Sequence, residues 1–117
     1  MTLEELEVYL QTVRGISPNG RKIGPWFDVE YETDEDYFSF SFVYNFEKEK
    51  FEVYYSIYHA SEDNNANNPD AHTDEDEGYS ANLKELVDAL VEEQGDLFKD
   101  NFYKDLERFT VEKKGGN

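Results

Sequence analysis

From Phe38 to Ile57 large side chains recur at every second position: Phe38, Phe40, Phe42, Tyr44 and Phe46, then Phe51, Val53, Tyr55 and Ile57. Residues two apart share one face of a β-strand, so the pattern predicts two strands with a common aromatic face. The alternate positions are Tyr37, Ser39, Ser41, Val43 and Asn45 on one strand, and Glu52, Tyr54, Ser56 and Tyr58 on the other. Glu47-Lys48-Glu49-Lys50 is a short hairpin connection between them. The same period occurs upstream, where Phe27, Val29 and Tyr31 face one way and Trp26, Asp28, Glu30 and Glu32 the other, before a polar turn at 33–36. Three successive strands with short connections predict an antiparallel meander. A face this aromatic must be covered, and the flanking segments supply the cover.

Thr2-Leu3-Glu4-Glu5 reads as a capping box, followed by a stripe of Leu3, Leu6, Leu10 and Val13 at helical spacing. Arg14-Gly15 is expected to end this helix, and Ser17-Pro18-Asn19-Gly20 to form a turn. Helical spacing returns with Leu83, Leu86, Val87, Leu90 and Val91, with Ser80 as the expected cap. Gly95 breaks the pattern, and Asp96 is placed as the cap of a last helix carrying Leu97, Phe98, Phe102, Leu106 and Phe109. The expected fold is therefore α+β, a single domain in the order α-β-β-β-α-α, with a three-stranded meander and helices packed on its aromatic face. It spans 1–112, with a long acidic loop at 61–80 and a frayed tail at 113–117. At 117 residues the chain has the size of one ordinary domain.

Charge narrows the function. Twenty-eight acids against eleven bases give a formal net charge of −17. Such a field repels nucleic acid and anionic lipid and steers basic partners inward. Direct nucleic-acid and membrane binding are accordingly not expected, and a basic protein partner is. With no cysteine there is neither a disulfide nor a thiolate site. No run approaches the roughly 18 apolar residues of a membrane helix, and the acidic amphipathic start does not read as a signal peptide; a cytoplasmic protein is expected.

The run at 61–80, SEDNNANNPDAHTDEDEGYS, holds seven acids and neither lysine nor arginine. Asp70, His72, Asp74, Asp76 and Glu77 are oxygen and imidazole donors in close succession, but they miss the EF-hand template. Counting from Asp74 puts Gly78 at position five, where a ligand is needed; counting from Thr73 puts a threonine at position one. No metal or cofactor is expected. The two histidines, His59 and His72, have no serine at a spacing that reads as a nucleophile, and no glycine-rich phosphate loop follows a strand. His59 continues the inward alternation of its strand and is placed at the rim of the core. A catalytic role is therefore not expected for any residue.

The candidate partner-binding residues are Trp26, Tyr54 and Tyr58 as aromatic anchors on the outer sheet face, with Asp34, Glu35, Asp36, Asp63, Asp74, Glu75, Asp76 and Glu77 as an anionic wall. Tyrosines on a sheet exterior also stabilise strand pairs, which is their plain structural role. In size, acidity and element order the chain resembles the small cognate immunity proteins of bacterial toxin systems. That resemblance implies an inhibitor that occludes a basic active site on a toxin or nuclease domain. The order and acidity are also similar to phage-encoded nucleic-acid mimics, including some anti-CRISPR proteins. A third reading is a structural or adaptor subunit whose acidity serves solubility alone.

Overall fold

The computed structural model describes residues 1–59 and 73–109. Its centre is a four-stranded antiparallel sheet formed by β3 (Phe27–Glu32), β4 (Asp36–Asn45), β5 (Lys50–His59) and β6 (Thr73–Ser80), paired in that order. Before it come α1 (Leu3–Leu10) and a small hairpin of β1 (Gly15–Ile16) and β2 (Lys22–Ile23); after it come α2 (Leu83–Gln94) and α3 (Asp96–Arg108). The architecture is α+β in one unit, with one face of the main sheet packed against helices.

Register places the aromatic positions side by side. Val29, Phe40 and Tyr55 lie in one cross-strand row and Phe27, Phe42 and Val53 in the next. Leu6 and Leu10 of α1, Leu83, Leu86, Val87 and Leu90 of α2, and Phe98, Phe102 and Leu106 of α3 close over this face. Phe98 sits 4.8 Å from Phe40, and Phe102 lies 5.4 Å from Phe42 and 5.7 Å from Phe27, ring centre to ring centre. Phe40, Phe42, Phe98 and Phe102 are fully buried, each contributing roughly 2–3 kcal/mol by leaving water. The sequence placed the helices on this face, and there they lie. Among the described residues no helix is long and apolar enough to cross a membrane.

Several expectations need correction. The sheet has four strands, because 73–80 is not loop but β6, antiparallel to β5 from Phe51–Ser80 to Tyr58–Thr73. Its helix-side positions are Asp74, Asp76, Gly78 and Ser80, so no apolar alternation announces it. It forms because the open backbone edge of β5 offers a hydrogen-bonding partner along its length. The remainder of the expected loop at 61–72, and the tail at 113–117, lie outside the described residues. The first helix ends at Leu10, with Gln11 as its C-cap, and Val13 is half exposed and not part of the buried stripe. Beyond it the chain turns into the β1–β2 hairpin, closed by the bond from the Gly20 amide to the Ser17 carbonyl.

The caps also shift. Thr2 and Glu5 form the expected capping box. Asn82, not Ser80, caps α2 by accepting from the Glu85 amide, and Ser80 instead ends β6 and donates to the Glu85 carboxylate. Gly95, at φ 89°, takes the position before α3 without a side-chain cap, and Asp96 is the first residue of that helix. A left-handed φ between two helices in immediate succession is a position glycine fills without steric cost.

Candidate protein-binding face

With every helix on one side, the other side of the sheet is left uncovered among the described residues. Its side chains follow from strand parity and register. Glu30, Ser39, Ser56 and Glu75 form one row across all four strands, and Asp28, Ser41, Tyr54 and Glu77 form the next. Glu32, Tyr37, Tyr58 and Thr73 make a third. The edge strands thus carry carboxylates while the central strands carry serine and tyrosine. The result is a trough with a hydroxyl-bearing floor and acidic banks. A shallow depression of about 570 Å³ opens over Ser39, Ser41, Tyr54 and Ser56 beside Glu75 and Glu77.

The aromatic groups here are held by their neighbours. The Tyr37 hydroxyl donates to Glu30 at 2.8 Å, and the Tyr54 hydroxyl to Glu52 at 2.7 Å. The bond to Glu52, aided by desolvation, pushes Tyr54 up to about 12, and the Glu30 bond raises Tyr37 in the same direction. A phenolate beside a carboxylate is disfavoured, so both rings remain neutral donors in the physiological range. Trp26 packs against Tyr54 at 6.0 Å with about half of its surface exposed. Such rings present contact area that is already oriented and loses little freedom on binding.

Cations gather at one end. Arg21 and Lys22 border the depression that Trp26, Asn45, Glu52 and Tyr54 also line, and Arg21 pairs with Glu47 at 3.0 Å. Lys50 stands 4.9 Å over the ring of Tyr79. Arg14, by contrast, stacks 5.1 Å over Tyr9 of α1, on the helix side. The β4–β5 end of the outer face therefore carries cations and carboxylates together, whereas β3 and β6 present carboxylates without a cation.

The residues expected to form one partner-binding surface are divided by the sheet. Trp26, Tyr54, Tyr58, Glu75 and Glu77 lie on the outer face. Asp34 and Glu35 sit at the exposed β3–β4 turn, where the Thr33 hydroxyl accepts from the amides of Glu35 and Asp36. Asp36, Asp74 and Asp76 share parity with Phe38, Ile57 and Tyr55 and so stand on the helix side. They do not join the outer wall. Asp63 lies outside the described residues. Conversely Asp28, Glu30, Ser39, Ser41 and Ser56 belong to the face although they were not among the chosen residues. Strand parity already pointed them outward; their union into rows needed the fourth strand.

On the helix side, His59 is placed at the sheet rim as its parity predicts. Its Nδ1 is 2.9 Å from Asp36 Oδ1 and its Nε2 is 2.8 Å from Asp74 Oδ2. These two bonds raise its pKa above that of a free imidazole, Asp74 acting most strongly. One pleat inward, the Tyr55 hydroxyl donates to Glu93 at 2.8 Å and lies 3.4 Å from Asp76. Among the described residues no three histidine or acidic side chains converge as metal ligands would. Compared with known protein families, curated proteins and solved structures, the chain matches none.

Proposed function

We propose that this protein is a non-enzymatic, protein-binding inhibitor that lays its uncovered sheet face over a basic site of another protein, in the cytoplasm. The observation that carries this reading is the pair of rows Glu30–Ser39–Ser56–Glu75 and Asp28–Ser41–Tyr54–Glu77. Carboxylates on both banks accept from arginine and lysine, and the hydroxyl floor satisfies backbone groups laid against it. The banks stand three strand spacings apart, about 14 Å, which admits an extended segment or a helix. Long-range attraction accelerates encounter, while Trp26, Tyr37 and Tyr54 supply the buried contact that slows release.

The first choice of partner is a toxin or nuclease domain, the protein then serving as its cognate immunity protein. Occluding an active site that binds phosphates requires anionic groups and shape, both of which this face has, and no catalytic residue. A second reading is a nucleic-acid mimic directed at a defence nuclease. It is favoured by Asp28, Glu30 and Glu32, which follow one another at two-residue intervals of about 6.6 Å along β3 as a straight anionic ridge. An adaptor subunit, the third, would make no use of these rows.

The test is affinity capture followed by an activity assay. Wild-type protein and a Ser41→Lys/Ser56→Lys variant, altered only on outward-facing positions, are exposed to lysate of the source cells and of phage-infected cells. A basic nuclease or toxin domain that is released by salt, and that wild type inhibits while the variant does not, supports the proposal. Partners retained equally by both proteins, or left fully active, would sink it in favour of the adaptor reading.

A further inference from the structure

The Asp36–His59–Asp74 arrangement joins three strands through one ring. Asp36 begins β4, His59 ends β5 and Asp74 is the second residue of β6. Each ring nitrogen lies within hydrogen-bond distance of a different carboxylate, at 2.9 and 2.8 Å. A neutral imidazole has a single N–H, so it serves one carboxylate and turns a lone pair toward the other. Only the imidazolium donates to both. Satisfying both contacts at once therefore calls for the protonated ring.

That proton matters most to β6. None of the eight residues of β6 is buried, so this strand has almost no hydrophobic anchor of its own. It is held by its ladder to β5, by contact with α2, and at its start by Asp74. Among the described residues, the neighbouring titratable groups joined by hydrogen bonds on this side of the sheet are Asp76 on β6, Tyr55 on β5 and Glu93 on α2. When protonated, the His59 ring carries a positive charge against the two carboxylates it touches, Asp36 and Asp74. Asp74 is largely exposed while Asp36 is mostly covered. Solvent can thus replace the β6 arm more readily than the β4 arm.

We propose that Asp36–His59–Asp74 is a proton-operated clasp: imidazolium fastens β6 to the sheet, and loss of the proton releases the strand's Asp74 end. A histidine whose pKa is raised in the folded protein contributes stability that is complete below its unfolded value, about 6.5. The contribution disappears as pH rises through the folded value. Because β6 also carries Glu75 and Glu77, release withdraws one bank of the outer trough. That consequence for partner binding rests on the proposed function; the fastening of the strand does not.

The test uses the free 117-residue chain carrying His72→Gln, so that His59 is its only imidazole. Its titration is followed by NMR, together with hydrogen-exchange protection of the 74–78 amides, corrected for the intrinsic rate. The His59 midpoint is expected above 6.5. Protection of β6 should fall through that midpoint, by about tenfold for each unit of elevation, while that of the central strand β4 stays constant. Asp74→Asn should lower the midpoint, and His59→Gln should remove the pH dependence of β6 over the same interval. A midpoint at or below 6.5 would overturn the clasp. So would β6 protection that keeps its pH dependence in the His59→Gln protein. Both readouts come from the unliganded chain, so they stand apart from the success or failure of the inhibitor reading.

Discussion

The Tyr55 hydroxyl donates to the Glu93 carboxylate at 2.8 Å, tying the centre of β5 to the last turn of α2 across 38 positions of sequence. Burial and this bond together hold Tyr55 above the ordinary phenol range. The contact fastens α2 where it leaves the sheet edge, before Gly95 redirects the chain. Tyr55→Phe keeps the ring that stacks 5.3 Å from Phe40 and removes only the donor. Unfolding by urea should show a loss of about 1 kcal/mol, the usual worth of one such bond. An unchanged midpoint would mean that water replaces the hydroxyl without cost.

Alkaline pH should weaken the fold in a defined window. Tyr31 and Tyr54 are both raised from 10.0 to about 12, Tyr31 by burial and Tyr54 first by its bond to Glu52. A group whose pKa is raised by folding contributes stability that is complete below the unfolded value and is lost as pH climbs to the folded one. Stability from this source should hold to about pH 10 and fall between about 10 and 12. Phenolate absorbance followed alongside unfolding midpoints checks both the ionisation and the sign.

Two glycines near the start of the chain, Gly15 and Gly24, should respond unequally to alanine. A Cβ on Gly24 would meet the Leu10 carbonyl and the Phe46 ring at 3.0 Å and the Thr12 carbonyl at 3.2 Å. Two of these obstacles are backbone, so Gly24→Ala should cost about 1–3 kcal/mol by overpacking. A Cβ on Gly15 meets nothing within 4 Å, and Gly15→Ala should stay within about 0.5 kcal/mol of wild type. Thermal unfolding of the pair checks the contrast.

Neutralising the β6 bank should separate binding from stability. Glu75 and Glu77 are exposed, and Glu75→Gln/Glu77→Gln should leave unfolding within about 0.5 kcal/mol of wild type. Association with a basic partner should slow at low salt, and the difference should shrink as the screening length falls to about 8 Å near physiological ionic strength. Stopped-flow association across a salt series reads this directly. Equal rates at low salt would remove β6 from the interface.

The parts of the fold legible in the sequence are those where burial writes a period. Phe38, Phe40 and Phe42 against Phe51, Val53 and Tyr55 set strand, face and neighbour, and Leu83 to Leu90 set a helix over them. Strand β6 was illegible because its helix-side positions, Asp74, Asp76, Gly78 and Ser80, carry no apolar signal. Its conformation is imposed by the edge of β5. The same lack misplaced the site: once 73–77 is read as loop, its acids have no sides, whereas in a strand they alternate. Trp26, Tyr54 and Tyr58 went to the correct face because aromatic parity on their own strands was clear. Val13 shows the converse error, a helical spacing that continues in sequence after the chain has turned away at Gln11.

Strand β6 has one more consequence, for many copies of the molecule rather than one. It is the last strand of its sheet among the described residues, and an exposed strand edge is the usual template for edge-to-edge polymerisation. Here that edge carries Asp74, Glu75, Asp76 and Glu77 in succession. An identical edge brought alongside would set carboxylate against carboxylate on both faces of the joint sheet. Two molecules of this protein therefore repel each other where an open sheet would otherwise join them. The acidity proposed to draw a basic partner would thus also oppose pairing of this edge with its own copy.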